Sequence, residues 1–116
     1  MREYDIIAIG SGSSMNIIPP LLHKNPKMRA AIIDKDEPGG ICLTRGCIPT
    51  KMLVYPAELV RIIEHAAIFG IDAPIKKVDF QKVMGRMREH IDPQIESIRK
   101  GLSGAKELDY YLNFGV

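Results

Sequence analysis

Two short apolar runs with a glycine–serine loop between them constrain this chain more than any other feature. Asp5-Ile6-Ile7-Ala8-Ile9-Gly10 and Ala30-Ala31-Ile32-Ile33-Asp34 are too short for helices and have apolar interiors, the pattern of buried parallel strands. Gly10-Ser11-Gly12-Ser13-Ser14-Met15 leaves the first run, and an acidic residue closes the second. Strand, glycine turn, helical connection, strand and acidic end form a dinucleotide-binding βαβ unit. The fold class is therefore α/β, with a Rossmann-like parallel sheet. Gly10 permits the tight turn and Gly12 lets the backbone approach a pyrophosphate. Amides and hydroxyls of Ser11, Ser13 and Ser14 are expected to face a phosphate. Asp34 stands 24 residues past Gly10, near the usual distance for a carboxylate that accepts ribose hydroxyls.

The third glycine of the motif is replaced by Met15, and Pro19-Pro20 follow where a regular helix would run. Proline costs about 3 kcal/mol inside a helix but is tolerated in its first turn. The expectation is a short or late-starting helix with both prolines at its head. Downstream, 52–69 reads as helix, with Leu59, Ile62, Ile63 and Ala66 on one stripe, a kink at Pro56 and a stop at Gly70. Residues 71–78 read as a loop. Asp79 is a candidate N-cap for a second helix whose stripe runs Phe80, Val83, Met84, Met87 and Ile91. Its methionines read as core filling rather than as reactive groups. Asp92-Pro93 is expected to kink or restart this helix, Gly101 and Gly104 to end it, and Leu108-Asp109-Tyr110-Tyr111-Leu112 to form a further strand.

Both cysteines lie in Gly39-Gly40-Ile41-Cys42-Leu43-Thr44-Arg45-Gly46-Cys47-Ile48-Pro49-Thr50-Lys51, with four residues between them. On a regular helix, positions i and i+5 are about 8.6 Å apart, whereas a disulfide needs Cα atoms within about 7 Å. A bridge would thus require a tightened, non-helical turn, and Gly46 can take the angles such a turn needs. Spacing alone leaves free thiols, half of a zinc site or a redox pair open. Zinc is the poorest of these: a second ligand pair is needed, and His23, His65 and His90 are scattered. No metal site is assigned.

Sixteen basic against fourteen acidic residues, a net charge of +2, give no overall case for nucleic acid. No apolar run approaches the ~18 residues of a membrane span, and the N-terminus lacks signal-peptide organisation. A cytoplasmic location is the default expectation.

The thirteen-residue block from Gly39 to Lys51 closely resembles the redox-disulfide signature of the flavin-dependent pyridine nucleotide–disulfide oxidoreductases. The resemblance extends along nearly the whole chain, in the order strand, glycine loop, acidic strand end, disulfide helix, second helix. It implies that residues 1–116 are the N-terminal part of an FAD-binding domain, with the NAD(P) and dimerisation domains absent. It implies a Cys42–Cys47 redox disulfide, with Cys42 the interchange thiol facing substrate and Cys47 the thiol beside the flavin. Lys51, one turn after Cys47, is then close to the flavin ring, and a helix N-terminus with this cation would lower the thiol pKa values. By motif position, Gly10, Ser11, Gly12, Ser13, Ser14, Asp34, Lys35, Gly39, Gly40, Cys42, Cys47 and Lys51 are the expected FAD contacts, Gly39 and Gly40 leaving room for the cofactor.

Within the family the sequence is read as most similar to dihydrolipoamide dehydrogenase, with mycothione- and mercuric-reductase-type enzymes as alternatives. The implied complete enzyme is a homodimer moving electrons between NAD(P)H, FAD, the disulfide and a dihydrolipoyl group or small disulfide. Its NAD(P) site and the acid–base pair supplied by its interface domain have no counterpart in these residues, so the chain alone is expected to be inactive. Two readings from other classes are a non-catalytic nucleotide-binding module and a flavin-free thiol–disulfide exchange protein.

Overall fold

The computed structural model describes residues 2–115. Strands β1 (Ile6–Ile9), β2 (Ala30–Asp34) and β3 (Leu108–Leu112) form one parallel sheet in the order β1-β2-β3. Ile7 lies beside Ala31, and Ile33 beside Tyr111. Helix α1 (Ile18–Lys24) connects β1 to β2. Helices α2 (Gly40–Thr44), α3 (Cys47–His65) and α4 (Phe80–Gly104) connect β2 to β3. The expected α/β class, the bounds of β2 and β3 and the two long helices are all present.

The core lies on one face of the sheet. Ile18 of α1 and Leu102 of α4 close over Ala30, Ile32 and Leu108, all buried. Met15 packs against this cluster, so the missing glycine is replaced by a side chain that fills apolar space. A 3₁₀ turn over Ser13–Asn16 precedes α1, whose first turn holds Pro19 and Pro20. Both prolines stand where a helix leaves its amides unpaired, as expected.

The other face is open, which differs from the buried-strand reading. Ile7 and Ile9 are 56% and 77% exposed, alternating with half-buried Ile6 and Ala8. Parallel sheets are ordinarily covered on both faces; these residues supply the covering layer of only one. Part of the open side carries a polar cluster. The Tyr4 hydroxyl donates to Asp109 at 2.5 Å and lies 2.6 Å from the Tyr111 hydroxyl. Its bond to Asp109 leads in pushing the Tyr4 pKa up to about 12.

Helices α3 and α4 pack on each other and extend the molecule to 70 × 25 × 24 Å. The radius of gyration is 20.6 Å, against about 13 Å for a compact chain of this length. That elongation explains two departures from the sequence reading. Leu59 and Ile62 on the α3 stripe are 41% and 65% exposed, because only α4 lies alongside. Met84 and Met87 are half-buried between the helices rather than in a core, and Phe80 is exposed. A third point is that α4 does not restart at Asp92-Pro93. Pro56 and Pro93 each remove one amide, yet α3 and α4 run through them unbroken, Ile91 being buried just before Pro93.

The N-terminus of α4 is capped as its sequence requires: Asp79 Oδ1 accepts the Lys82 amide at 3.1 Å. Asp79→Ala should destabilise the protein by about 1 kcal/mol, the usual loss for an N-cap. Urea unfolding followed by helical circular dichroism measures this, and an unchanged midpoint would contradict the capping role.

Candidate active site

The site begins where β1 ends. Gly10 has φ +96°, a left-handed angle costly for other residues, and its amide donates to the Ile33 carbonyl at 2.7 Å. That turn delivers Ser11 to a fully buried position. The Ser11 amide and hydroxyl both donate to Asp34 Oδ2, at 2.7 and 2.6 Å. The same hydroxyl accepts the Gly39 amide at 3.1 Å. Asp34 Oδ1 accepts the Asp36 amide at 3.1 Å. A carboxylate offers about four acceptor positions, so one remains, on Oδ1. Desolvation raises the Asp34 pKa, but the bonds from Ser11 and Asp36 outweigh it and hold the group below its ordinary value.

Most polar side chains of the loop are already engaged within the protein. Ser11 spends its amide and hydroxyl on Asp34 and cannot offer them to a phosphate. The Ser14 hydroxyl donates to the Gly10 carbonyl at 2.5 Å. Only the Ser13 side chain is exposed, and seven-residue α1 begins six positions after Gly12. Lys35 makes an ion pair with Asp36 at 3.3 Å and lies over the Phe114 ring at 5.7 Å.

Gly39 and Gly40 have φ of +111° and +70°. Their missing side chains make room for protein, where the sequence reading put cofactor. A Cβ on Gly40 would stand 2.5 Å from Gly12 Cα, and one on Gly39 would stand 2.6 Å from the Leu43 side chain. The glycine loop and the start of α2 thus meet backbone to backbone.

Between the cysteines the helix breaks at Arg45 and Gly46, the non-helical turn that a close thiol pair demands. Gly46 is needed for space rather than for a left-handed angle: its φ is −119°, and a Cβ there would lie 2.8 Å from the Ile41 carbonyl oxygen. Arg45 binds Asp36 at 2.5 Å and ties this turn to the exit of β2. Sequence spacing gave no sign of that pair, nor of Ser11 as a buried junction.

Cys42 and Cys47 are both exposed and unbridged, the reduced form of the pair that the resemblance implies. Cys47 opens α3, directly after the helix break that separates it from Cys42. The expectation that both thiols are lowered is corrected for Cys42. Its pKa is raised, first because its S–H bonds to the Cys47 sulfur, then by desolvation; the Cys47 amide and the Lys51 charge offset this only in part. Lys51, one turn into α3, faces a groove of about 520 Å³ that also holds Lys82 and Arg86 of α4. Among the described residues there is no cluster of three or more metal-ligating side chains, and no helix is long and apolar enough to cross a membrane.

Because Cys47 is what holds the proton on Cys42, Cys47→Ala should move the pH profile of Cys42 alkylation to lower pH. Iodoacetamide rates measured across pH test this; a profile unmoved or shifted upward would contradict it.

No protein-family model matches the chain. Mycothione reductase of Mycobacterium tuberculosis is 44% identical over 93 residues, covering 80% of this chain and 20% of that protein. Dihydrolipoyl dehydrogenase of Chlamydia pneumoniae is 36% identical over 103 residues, covering 89% and 21%. Among solved structures, the HOCl-induced flavoprotein disulfide reductase RclA of Escherichia coli, determined as a Cu(II) complex, superimposes with a TM-score of 0.69 at 25% identity. That match covers 96% of this chain and 22% of that one. The chain is thus homologous to the flavoprotein disulfide reductases, over about a fifth of the length of the relatives it matches.

Proposed function

We propose that this chain is the N-terminal part of the FAD-binding domain of a disulfide reductase, and that Cys42 and Cys47 are its redox pair. The observation that carries the reading is two exposed cysteines flanking the helix break at Arg45-Gly46, the second of them opening α3, with Lys51 one turn further on. Joining the two sulfurs releases two electrons and two protons; the reverse step takes both back. An exposed pair allows a substrate sulfur to approach.

The residues fit the ribose end of FAD through one observation: Asp34 is held as a carboxylate beside the Gly10 turn with an acceptor position left on Oδ1. FAD, when bound, supplies two-electron exchange with a nicotinamide. The chain's own part is to hold a ribose hydroxyl at Asp34, to keep the proton on Cys42 through its contact with Cys47, and to set the Lys51 charge near the pair. NAD(P)H binding and the homodimer belong, in this reading, to the remaining four fifths of the relatives' length. The proposed setting is cytoplasmic.

For substrate, identity is higher to mycothione reductase than to dihydrolipoyl dehydrogenase, 44% against 36%. This favours a small-molecule disulfide over the dihydrolipoyl group, which is the second reading.

With one sheet face open, much of the surface that would enclose FAD is missing, so the 116-residue chain should bind the cofactor weakly and purify nearly colourless. Its thiols should nevertheless be lost together on mild oxidation and regained as a pair on reduction. Thiol counting before and after reduction tests the proposal, and two cysteines still free under oxidising conditions would overturn it.

A further inference from the structure

Ser11 occupies the second position of the glycine loop, which the motif leaves unspecified, yet it has no exposed surface and makes three hydrogen bonds to two other segments. Two go to the same oxygen of Asp34. The third carries the Gly39 amide, which opens the turn leading into the Cys42 helix. Beside this junction Gly12 and Gly40 touch with no room for a side chain on Gly40. The nucleotide loop, the end of β2 and the start of α2 therefore share one buried hydroxyl.

We propose that Ser11 is a positioning residue: its hydroxyl aims the remaining acceptor position of Asp34 outward for a ribose hydroxyl, and fixes the Gly39 turn that sets Cys42. Removing the hydroxyl leaves Asp34 Oδ2 with the Ser11 amide alone and lets the carboxylate turn about its side-chain bond. It also leaves the Gly39 amide without its acceptor. The groups facing Asp34 are few. Asp36 follows it in the chain, and its charge works against that of Asp34. Asp36 is itself paired with Lys35 and Arg45. Tyr110 of β3 faces both Asp34 and Ser11, and burial leads in raising its hydroxyl pKa. None of these donates to Asp34 Oδ2, so none substitutes for the Ser11 hydroxyl. The nucleotide half of this proposal rests on the FAD reading above; the titration half does not.

The test compares wild type, Ser11→Ala, Asp34→Asn and the double variant at one chain length. Ser11→Ala removes a single atom and introduces no clash. It should raise the titration midpoint of the Asp34 carboxyl, followed by carbon-detected NMR, and speed hydrogen exchange of the Gly39 amide. FAD, the probe ligand, should bind Ser11→Ala about tenfold more weakly, the scale of one hydrogen bond to a charged group. In the Asp34→Asn background the same change should cost less than about twofold, since the two act through one contact. An unmoved Asp34 midpoint, or an equal loss of FAD affinity in both backgrounds, would overturn the proposal. If Asp34 and Gly39 respond as stated while Ser11→Ala leaves FAD affinity unchanged, the positioning of the carboxylate and the turn stands and the ribose contact at Asp34 falls.

Discussion

The hydrogen bond from the buried Ser11 hydroxyl to Asp34 is the constraint on which the arrangement of this site depends. A hydroxyl with no exposure must find partners or cost stability, and this one finds two: a carboxylate at the end of β2 and an amide at the head of the next turn. The carboxylate is kept ionised by what surrounds it. The turn is brought so close that Gly40 admits only hydrogen at its α-carbon, against Gly12. From there Leu43 is buried, α2 ends at Thr44, and the chain re-enters helix at Cys47 with the two thiols together.

Electrostatics then acts on Cys42 from two directions. Its pKa is raised, first by the Cys47 side chain and then by desolvation. Lys51 works in the other direction. Arg45, bound to Asp36, anchors the turn between the two cysteines to the same strand exit that Ser11 holds from the other side.

Much of this was legible in the sequence, and the rest was hidden for physical reasons. β2 and β3 were bounded correctly because apolar runs of that length have few alternatives, and Pro19-Pro20 and Asp79 announced their helix starts through backbone chemistry that acts locally. Ser11 was misread because its partners lie 23 and 28 residues away. The glycines at 39 and 40 were assigned to the cofactor because sequence reveals that space is needed, not what fills it. The raised Cys42 depends on how closely Cys47 returns after a helix break, which spacing does not specify. The α3 stripe did not become a buried face: Leu59, Ile62 and Ile63 are exposed, Leu59 at the open groove between α3 and α4, because a stripe shows that a helix face is apolar and not what covers it.

The central claim is that Cys42 and Cys47 interconvert as one two-electron unit. Equilibration of the protein in graded dithiol–disulfide buffers, with the two states counted by alkylation and mass spectrometry, measures this directly. The account predicts a single transition with a two-electron slope, of about 30 mV per tenfold change in the ratio, to a species with an intramolecular Cys42–Cys47 bond. Independent modification of each cysteine by the buffer thiol, with no intramolecular bond at any potential, would contradict it.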